Sequence, residues 1–224
     1  LGGTNHTLDT YGIDWSKDYE EWDFYVQYAQ QGGSDANTNT DYDGTLWNLA
    51  VGYDLDEDDK LGLAWTSYSG AETADPGKAW VSGGLSDAHS FLGFADVLAQ
   101  QNVEDITFTW DRQVNDRNSF HLAYHMFSLE SNTAAVSLGT GLDNGWTGFD
   151  GGNGGTPDAN GTLDDDLGTE LDLIWKHQLS SDVGLALGYA AFDAGDYFTA
   201  NTAAGVTNNS PDVTYTWLNA TVKF

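Results

Sequence analysis

Every second residue is apolar over one stretch after another of this 224-residue chain. Trp22, Phe24, Val26 and Tyr28 alternate with Asp23, Tyr25, Gln27 and Ala29, and Trp47, Leu49, Val51 and Tyr53 alternate with Asn48, Ala50 and Gly52. Leu61, Leu63 and Trp65 follow, then Ile106, Phe108 and Trp110 against Thr107, Thr109 and Asp111. Phe120, Leu122, Tyr124 and Met126 alternate with His121, Ala123 and His125, and Leu171, Leu173 and Trp175 with Glu170, Asp172, Ile174 and Lys176. Val183, Leu185, Leu187 and Tyr189 alternate with small residues. In the last segment Leu218, Ala220, Val222 and Phe224 share one face, and Tyr215, Trp217, Asn219, Thr221 and Lys223 the other. With a weaker segment at Tyr11, Ile13 and Trp15, the pattern predicts nine strands. A period of two is the signature of a strand whose two faces meet different surroundings.

The connections alternate in length. Short polar turns are predicted at 16–21, 54–59, 114–118 and 180–182, and long Gly/Asn/Asp/Thr-rich segments at 32–44, 70–104, 130–168 and 193–213. Alternating short turns and long loops, with an amphipathic last strand ending on an aromatic, predict an all-β, antiparallel transmembrane β-barrel of the bacterial outer membrane. Short turns are periplasmic in such barrels, so Phe224 is expected on the periplasmic side and the long loops outside. Residues 1–224 are read as a single barrel domain. Single-chain bacterial barrels have an even strand number. Nine strands are therefore expected to be the C-terminal portion of a larger barrel, processed or truncated at its N-terminus. A tenth strand within 70–104 is the alternative, although it would break the alternation of connections.

Composition agrees with one face in lipid and polar loops. The chain has 27 Gly, 9 Trp, 11 Tyr and 10 Phe, with a mean hydropathy of -0.43, and no run approaches the roughly 20 apolar residues of a membrane helix. Cysteine is absent, which excludes disulfides and thiolate chemistry. The formal charge is -28, from 35 acidic and 7 basic residues. Nucleic acid is excluded as a partner, because phosphate recognition needs positive charge. Cations, neutral solutes and bridging divalent ions fit that charge, and so does an acidic surface adapted to salt.

Several stretches, in order, resemble the alginate-export family of outer-membrane porins. Ser69-Gly70 followed by residues 89–96 and 101–105 resembles that family's loop-to-strand passage. Tyr124-His125-Met126-Phe127-Ser128-Leu129, then Leu167-Gly168-Thr169-Glu170-Leu171-Asp172, resemble two of its strands, and Gly188-Tyr189 through Phe192 to Gly195-Asp196 resembles a hairpin. The resemblance covers roughly residues 22–224. It implies a channel passing a polysaccharide or smaller solutes, with lipid and lipopolysaccharide around it. It also implies a barrel assembly machinery that reads the last strand at Phe224. A polyanion conduit calls for an Arg/Lys-lined lumen. By alternation only Lys176 and Lys223 stand on strand faces opposite the apolar stripe, against Asp23, Asp111, Glu170 and Asp172. The expected lumen therefore prefers cations or neutral solutes.

The predicted pore-lining residues are Asp111, His121, His125, Glu170, Asp172, Lys176, Asn219 and Lys223. His121 and His125 stand about 13 Å apart at roughly 3.3 Å per residue, too far to share one metal. They are read as donors to Glu170 or Asp172, or as ordinary polar lining. The segment containing His89, Phe91, Phe94 and Asp96 carries an apolar patch inside a polar loop. Such a patch needs cover. It either folds into the lumen as a constriction, packs over the rim or forms another strand. Asp158, Asn160 and Asp164 have the oxygen-rich, glycine-bent look of a Ca²⁺ loop, without the terminal Glu. Beyond such a Ca²⁺ ion no cofactor is expected, and a solvated acidic loop is the plainer reading. Ser119 and Ser128 neighbour the histidines but form no evident triad, so no enzymatic activity is expected. The alternative function is a barrel-anchored surface or structural protein acting through its long acidic loops.

Overall fold

The computed structural model describes residues 6–35, 40–70, 76–81, 92–132, 164–200 and 212–223. Their strands are β1 (His6–Tyr19), β2 (Trp22–Asp35), β3 (Thr40–Asp41), β4 (Thr45–Asp54), β5 (Asp59–Tyr68), β6 (Val103–Asn115), β7 (Asn118–Ser128), β8 (Asp166–Gln178), β9 (Val183–Ala194) and β10 (Val213–Val222). Among the described residues of the long connections are a 3-10 turn (Pro76–Lys78) and a short helix α1 (Asp196–Ala200). All strands are antiparallel and join sequential neighbours in one sheet, β1-β2-β4-β5-β6-β7-β8-β9-β10, with the dipeptide β3 paired to β2. Nine long strands stand at the predicted places, and the sheet is open between β1 and β10. The protein is all-β and antiparallel, as the alternation predicts.

The register keeps like faces together. Val51 lies opposite Phe24 and Leu63, Phe108 opposite Leu63 and Tyr124, and Leu187 opposite Trp175 and Leu218. One face is thus a continuous apolar surface, with Leu63 50 % exposed and Leu218 72 % exposed. A one-residue slip in any pair would put that set on the other face, so the pattern itself fixes the register. The opposite face carries a lateral row of Asp23, Gly52, Gly62, Thr109, Ala123, Asp172, Ala190 and Tyr215, each opposite the next. Gly52 leaves room for the Asp23 carboxylate lying across it.

Several strand boundaries differ from the sequence reading, most of all around β2. The first turn shrinks from 16–21 to Glu20 and Glu21, with Glu20 in the left-handed region at φ 53. Much of 32–44 is strand, since β2 runs to Asp35 and pairs with β3. The reason is that pairing propagates past the apolar stripe. Fourteen residues reach about 46 Å at 3.3 Å per residue, well beyond an apolar band of about 25 Å.

The apolar core lies on the inner side at the long-loop end. Val97, Leu98, Val103 and Leu167 have no exposed surface, and they cluster with Trp80, Phe127, Phe192, Tyr197 and Phe198. Before β6 starts at Val103, the described parts of 70–104 hold the 3-10 turn and an isolated bridge, Leu92 to Leu98, instead of a further strand. They pack inward, where Gln31 grips the backbone of Val81 twice at 2.7 Å.

An outer face of this kind is stable only against hydrocarbon. In lipid vesicles, Leu63→Lys should lower stability by about 2–4 kcal/mol in a denaturant titration, whereas Thr109→Lys on the inner face should cost less than about 1 kcal/mol. Equal effects would argue against a lipid-facing outer surface.

Candidate functional site

The inner face gathers its chemistry where a loop segment crosses it. Alternation directs Asp105, Thr107 and Thr109 of β6, His121, Ala123 and His125 of β7, and Glu170 and Asp172 of β8 inward. His125 lies between Thr107 and Glu170 in register. Residues 92–102 fold back onto this wall through three left-handed residues, Gly93 at φ 78, Asp96 at φ 55 and Asn102 at φ 53. Phe94 donates its backbone N–H to Asp172 Oδ2 at 3.1 Å, and Ala95 donates its own to Glu170 Oε1 at 2.6 Å. A Cβ on Gly93 would stand 2.5 Å from the Glu170 carboxyl carbon, so only glycine permits the approach.

Asp105, Glu170 and Asp172 are 3 %, 1 % and 1 % exposed, and His125 is 9 % exposed. His125 Nδ1 is 2.9 Å from Asp105 Oδ2, and its Nε2 is 3.5 Å from Asp172 Oδ2. Thr107 donates its hydroxyl to Asp105 Oδ2 at 2.9 Å. Asp105 Oδ1, Glu170 Oε2 and Asp172 Oδ1 find no hydrogen-bond partner among the described residues. Three buried carboxylates meet one imidazole, and burying unpaired charge is costly. The backbone N–H bonds from the loop are part of what offsets that cost, so wall and loop stabilise each other. Hydrogen bonds to charged groups are worth about 1.5–3 kcal/mol each. The more exposed Lys60–Asp23 pair, at 2.6 Å, is worth about 0–1 kcal/mol.

The predicted residues divide between two levels. Glu170, Asp172, His125, Phe94 and Asp96 meet at the loop segment, beside a cleft of about 600 Å³ that His121 and Asn219 also line. His121 pairs with Asp111 at 2.8 Å rather than with Glu170 or Asp172. Lys176 and Lys223 stand at the turn end, lining a separate cleft of about 460 Å³ with Arg117 and Asn219. His89, Phe91, Asp158 and Asn160 lie outside the described residues. Asp164 accepts the backbone N–H of Asp166 at 3.1 Å, which caps the start of β8. Among the described residues no three His, Asp or Glu side chains are disposed to hold a metal ion.

Three residues escaped the sequence reading. Asp105 has the parity of Thr107 and Asp111, but it stands at a strand start where no stripe yet marks the face. Lys60 falls between the 54–59 turn and Leu61, where the alternation gives it no face; it lies opposite Asp111 and points inward to Asp23. Trp217, though assigned to the inner face, drew no role; its indole lies over Gly188, where any Cβ would collide with it.

Glu170→Ala should accelerate hydrogen exchange at the Ala95 amide by about tenfold or more, the equivalent of losing one charge-assisted bond. Unchanged protection would mean that the loop is held by its apolar contacts alone.

Comparison with curated proteins finds no match. Among solved structures the chain is similar to "Outer-membrane expressed OmpT of Vibrio cholerae", with 12 % identity and a TM-score of 0.47. The match covers 95 % of this chain and 57 % of that one, so this chain spans a little over half of its length. The profile of the family described as "Alginate export" matches residues 2–210. With nearly its whole length inside that match, and with an antiparallel sheet apolar on its outer face, the chain belongs to the alginate export family of outer-membrane proteins.

Proposed function

We propose that the chain forms the wall and the constriction of a passive outer-membrane channel, which admits cations and neutral solutes in preference to anions. The observation that carries this is the loop segment 92–98, hydrogen-bonded to Glu170 and Asp172 on the inner wall. A fixed segment crossing the inner face narrows the path, and the groups it meets there are carboxylates. Selectivity at a constriction follows the sign of the charges lining it. Asp105, Glu170 and Asp172 stand on the inner wall near it with His125 as the basic partner, while Asp111, paired with His121, lies further toward the turn end, level with Lys60. The cations Lys60, Lys176 and Lys223 lie toward the turn end.

In this reading the long loops are extracellular, the short turns and Phe224 periplasmic, and lipid with lipopolysaccharide surrounds the outer face. The unpaired edges of β1 and β10 support a larger, even-stranded barrel, because no edge can face hydrocarbon. The last strand is the element an assembly machinery would engage. No catalysis is assigned, and Ca²⁺ at the acidic loops remains a proposal for Asp158, Asn160 and Asp164.

A second reading has one observation in its favour. The cluster of Trp80, Val97, Leu98, Phe192 and Phe198 fills part of the interior at the long-loop end, as it would in a surface protein that uses the barrel as an anchor.

Single-channel recording in a planar bilayer under a KCl gradient separates the two. The expected result is steady conductance with K⁺ preferred over Cl⁻, and a preference at least about twofold weaker in the Glu170→Gln/Asp172→Asn double variant at low salt. Anion preference would overturn the proposed selectivity, and a silent but folded barrel would favour the anchor.

A further inference from the structure

The cleft beside the loop segment has a composition that charge selectivity alone does not require. Its walls are Phe94 and Asp96 from the loop, Thr107 and Thr109 from β6, His121 and His125 from β7, Asp172 from β8, and Tyr215, Trp217 and Asn219 from β10. Phe94 and Trp217 face each other with ring centroids 6.2 Å apart and planes tilted by 45°. Gly188 lets the indole lie against the wall instead of standing away from it. The two rings, from independent elements, pack on each other and leave an exposed aromatic surface, with Phe94 39 % exposed and Tyr215, which continues it, 48 % exposed.

The polar side of the cleft is acidic. Asp172 is 1 % exposed, yet its Oδ1 has no hydrogen-bond partner among the described residues. Neither lysine nor arginine lines the cleft. The volume of about 600 Å³ lies within the range of small-molecule sites, roughly 300–1,000 Å³. A metal ion does not suit it, since no metal-ligand group of His, Asp and Glu exists among the described residues. An anion would meet carboxylates with no cationic side chain beyond the two histidines.

We infer that this cleft is a binding site for a small organic cation, an alkylated ammonium seated against the aromatic surface of Phe94, Trp217 and Tyr215 with Asp172 as counter-charge. The π faces attract a desolvated cation within about 6 Å of a ring centroid, and alkyl groups on nitrogen lower the cost of stripping its water. Asp172 supplies the opposing charge where water is scarce, which makes the attraction stronger than at an open surface. In the channel, such a site would hold the solute transiently at the narrowest level and release it along the inner wall. This inference rests on the reading of the inner face as the solute path.

The test uses the full-length protein in detergent micelles, titrated calorimetrically with choline and with its uncharged carbon isostere 3,3-dimethylbutanol. Choline should bind at least about tenfold more tightly than the isostere, because shape and apolar area are shared and only the charge differs. Trp217→Leu should weaken choline about fivefold, and Asp172→Asn by a similar factor. Asn retains an oxygen able to accept the Phe94 N–H, and Trp217 makes no bond to the loop backbone, so the two variants fail for different reasons. Equal affinity for both ligands, no effect of either variant, or binding of glucose without choline would each overturn the assignment, the last in favour of a neutral-sugar site. Micelle binding does not depend on conduction. Choline binding by a silent barrel would therefore sink the channel reading and leave the site standing, whereas cation-selective current without choline binding would do the reverse.

Discussion

Backbone hydrogen bonding is the constraint on which everything else here depends. In hydrocarbon an unpaired N–H or C=O costs several kcal/mol, so a strand can stand in lipid only with a neighbour on each side. Each long strand from β2 to β9 has two such neighbours, all antiparallel and all in sequence order. Sequence order follows from short hairpins at one end, the simplest way to supply each strand with its partner. Once the backbone is paired, side chains have two directions left, and the apolar stripe of each strand decides which faces lipid. The register then follows without further information.

The inner face obeys a different rule. It need not be apolar, and it carries the row from Asp23 through Asp172 to Tyr215. What gives it shape is the return of the chain from the long-loop end. Residues 76–81 are gripped by Gln31 and residues 92–98 by Glu170 and Asp172, while Trp80, Val97 and Leu98 supply apolar cover between them. The two kinds of contact do different work. Apolar burial places the loop inside, and the carboxylate bonds choose which backbone atoms meet the wall.

At the level of residues 93–96 the inner wall buries three carboxylates, Asp105, Glu170 and Asp172, with His125 as the basic partner of Asp105 and Asp172. Buried titratable groups with incomplete partners concentrate at functional positions more than elsewhere. Here they coincide with the one level at which β6, β7, β8, β10 and a loop converge. Wall and loop account for one oxygen of each carboxylate and leave Asp105 Oδ1, Glu170 Oε2 and Asp172 Oδ1 without a hydrogen-bond partner among the described residues.

Period-two alternation by itself determined the strand set, the two faces, the inward direction of His125, Glu170 and Asp172, and the split between short turns and long loops, because each is a local property of a pleated strand. Strand ends were not legible, since β1 and β2 continue as polar pairs beyond any hydrophobic stripe. Asp105 and Lys60 were illegible for a related reason: both sit where the stripe stops, and only the pairing partner shows which way they point. The loop patch around Phe94 announced a need for cover but not its location. That was decided by contacts between residues 75 to 78 positions apart, Ala95 with Glu170 and Phe94 with Asp172. The meeting of Phe94 with Trp217 was likewise a matter of tertiary structure alone. Alternation fixes the direction of a side chain along its own strand, whereas the distance between two elements depends on how the whole sheet curves and on where the loop returns.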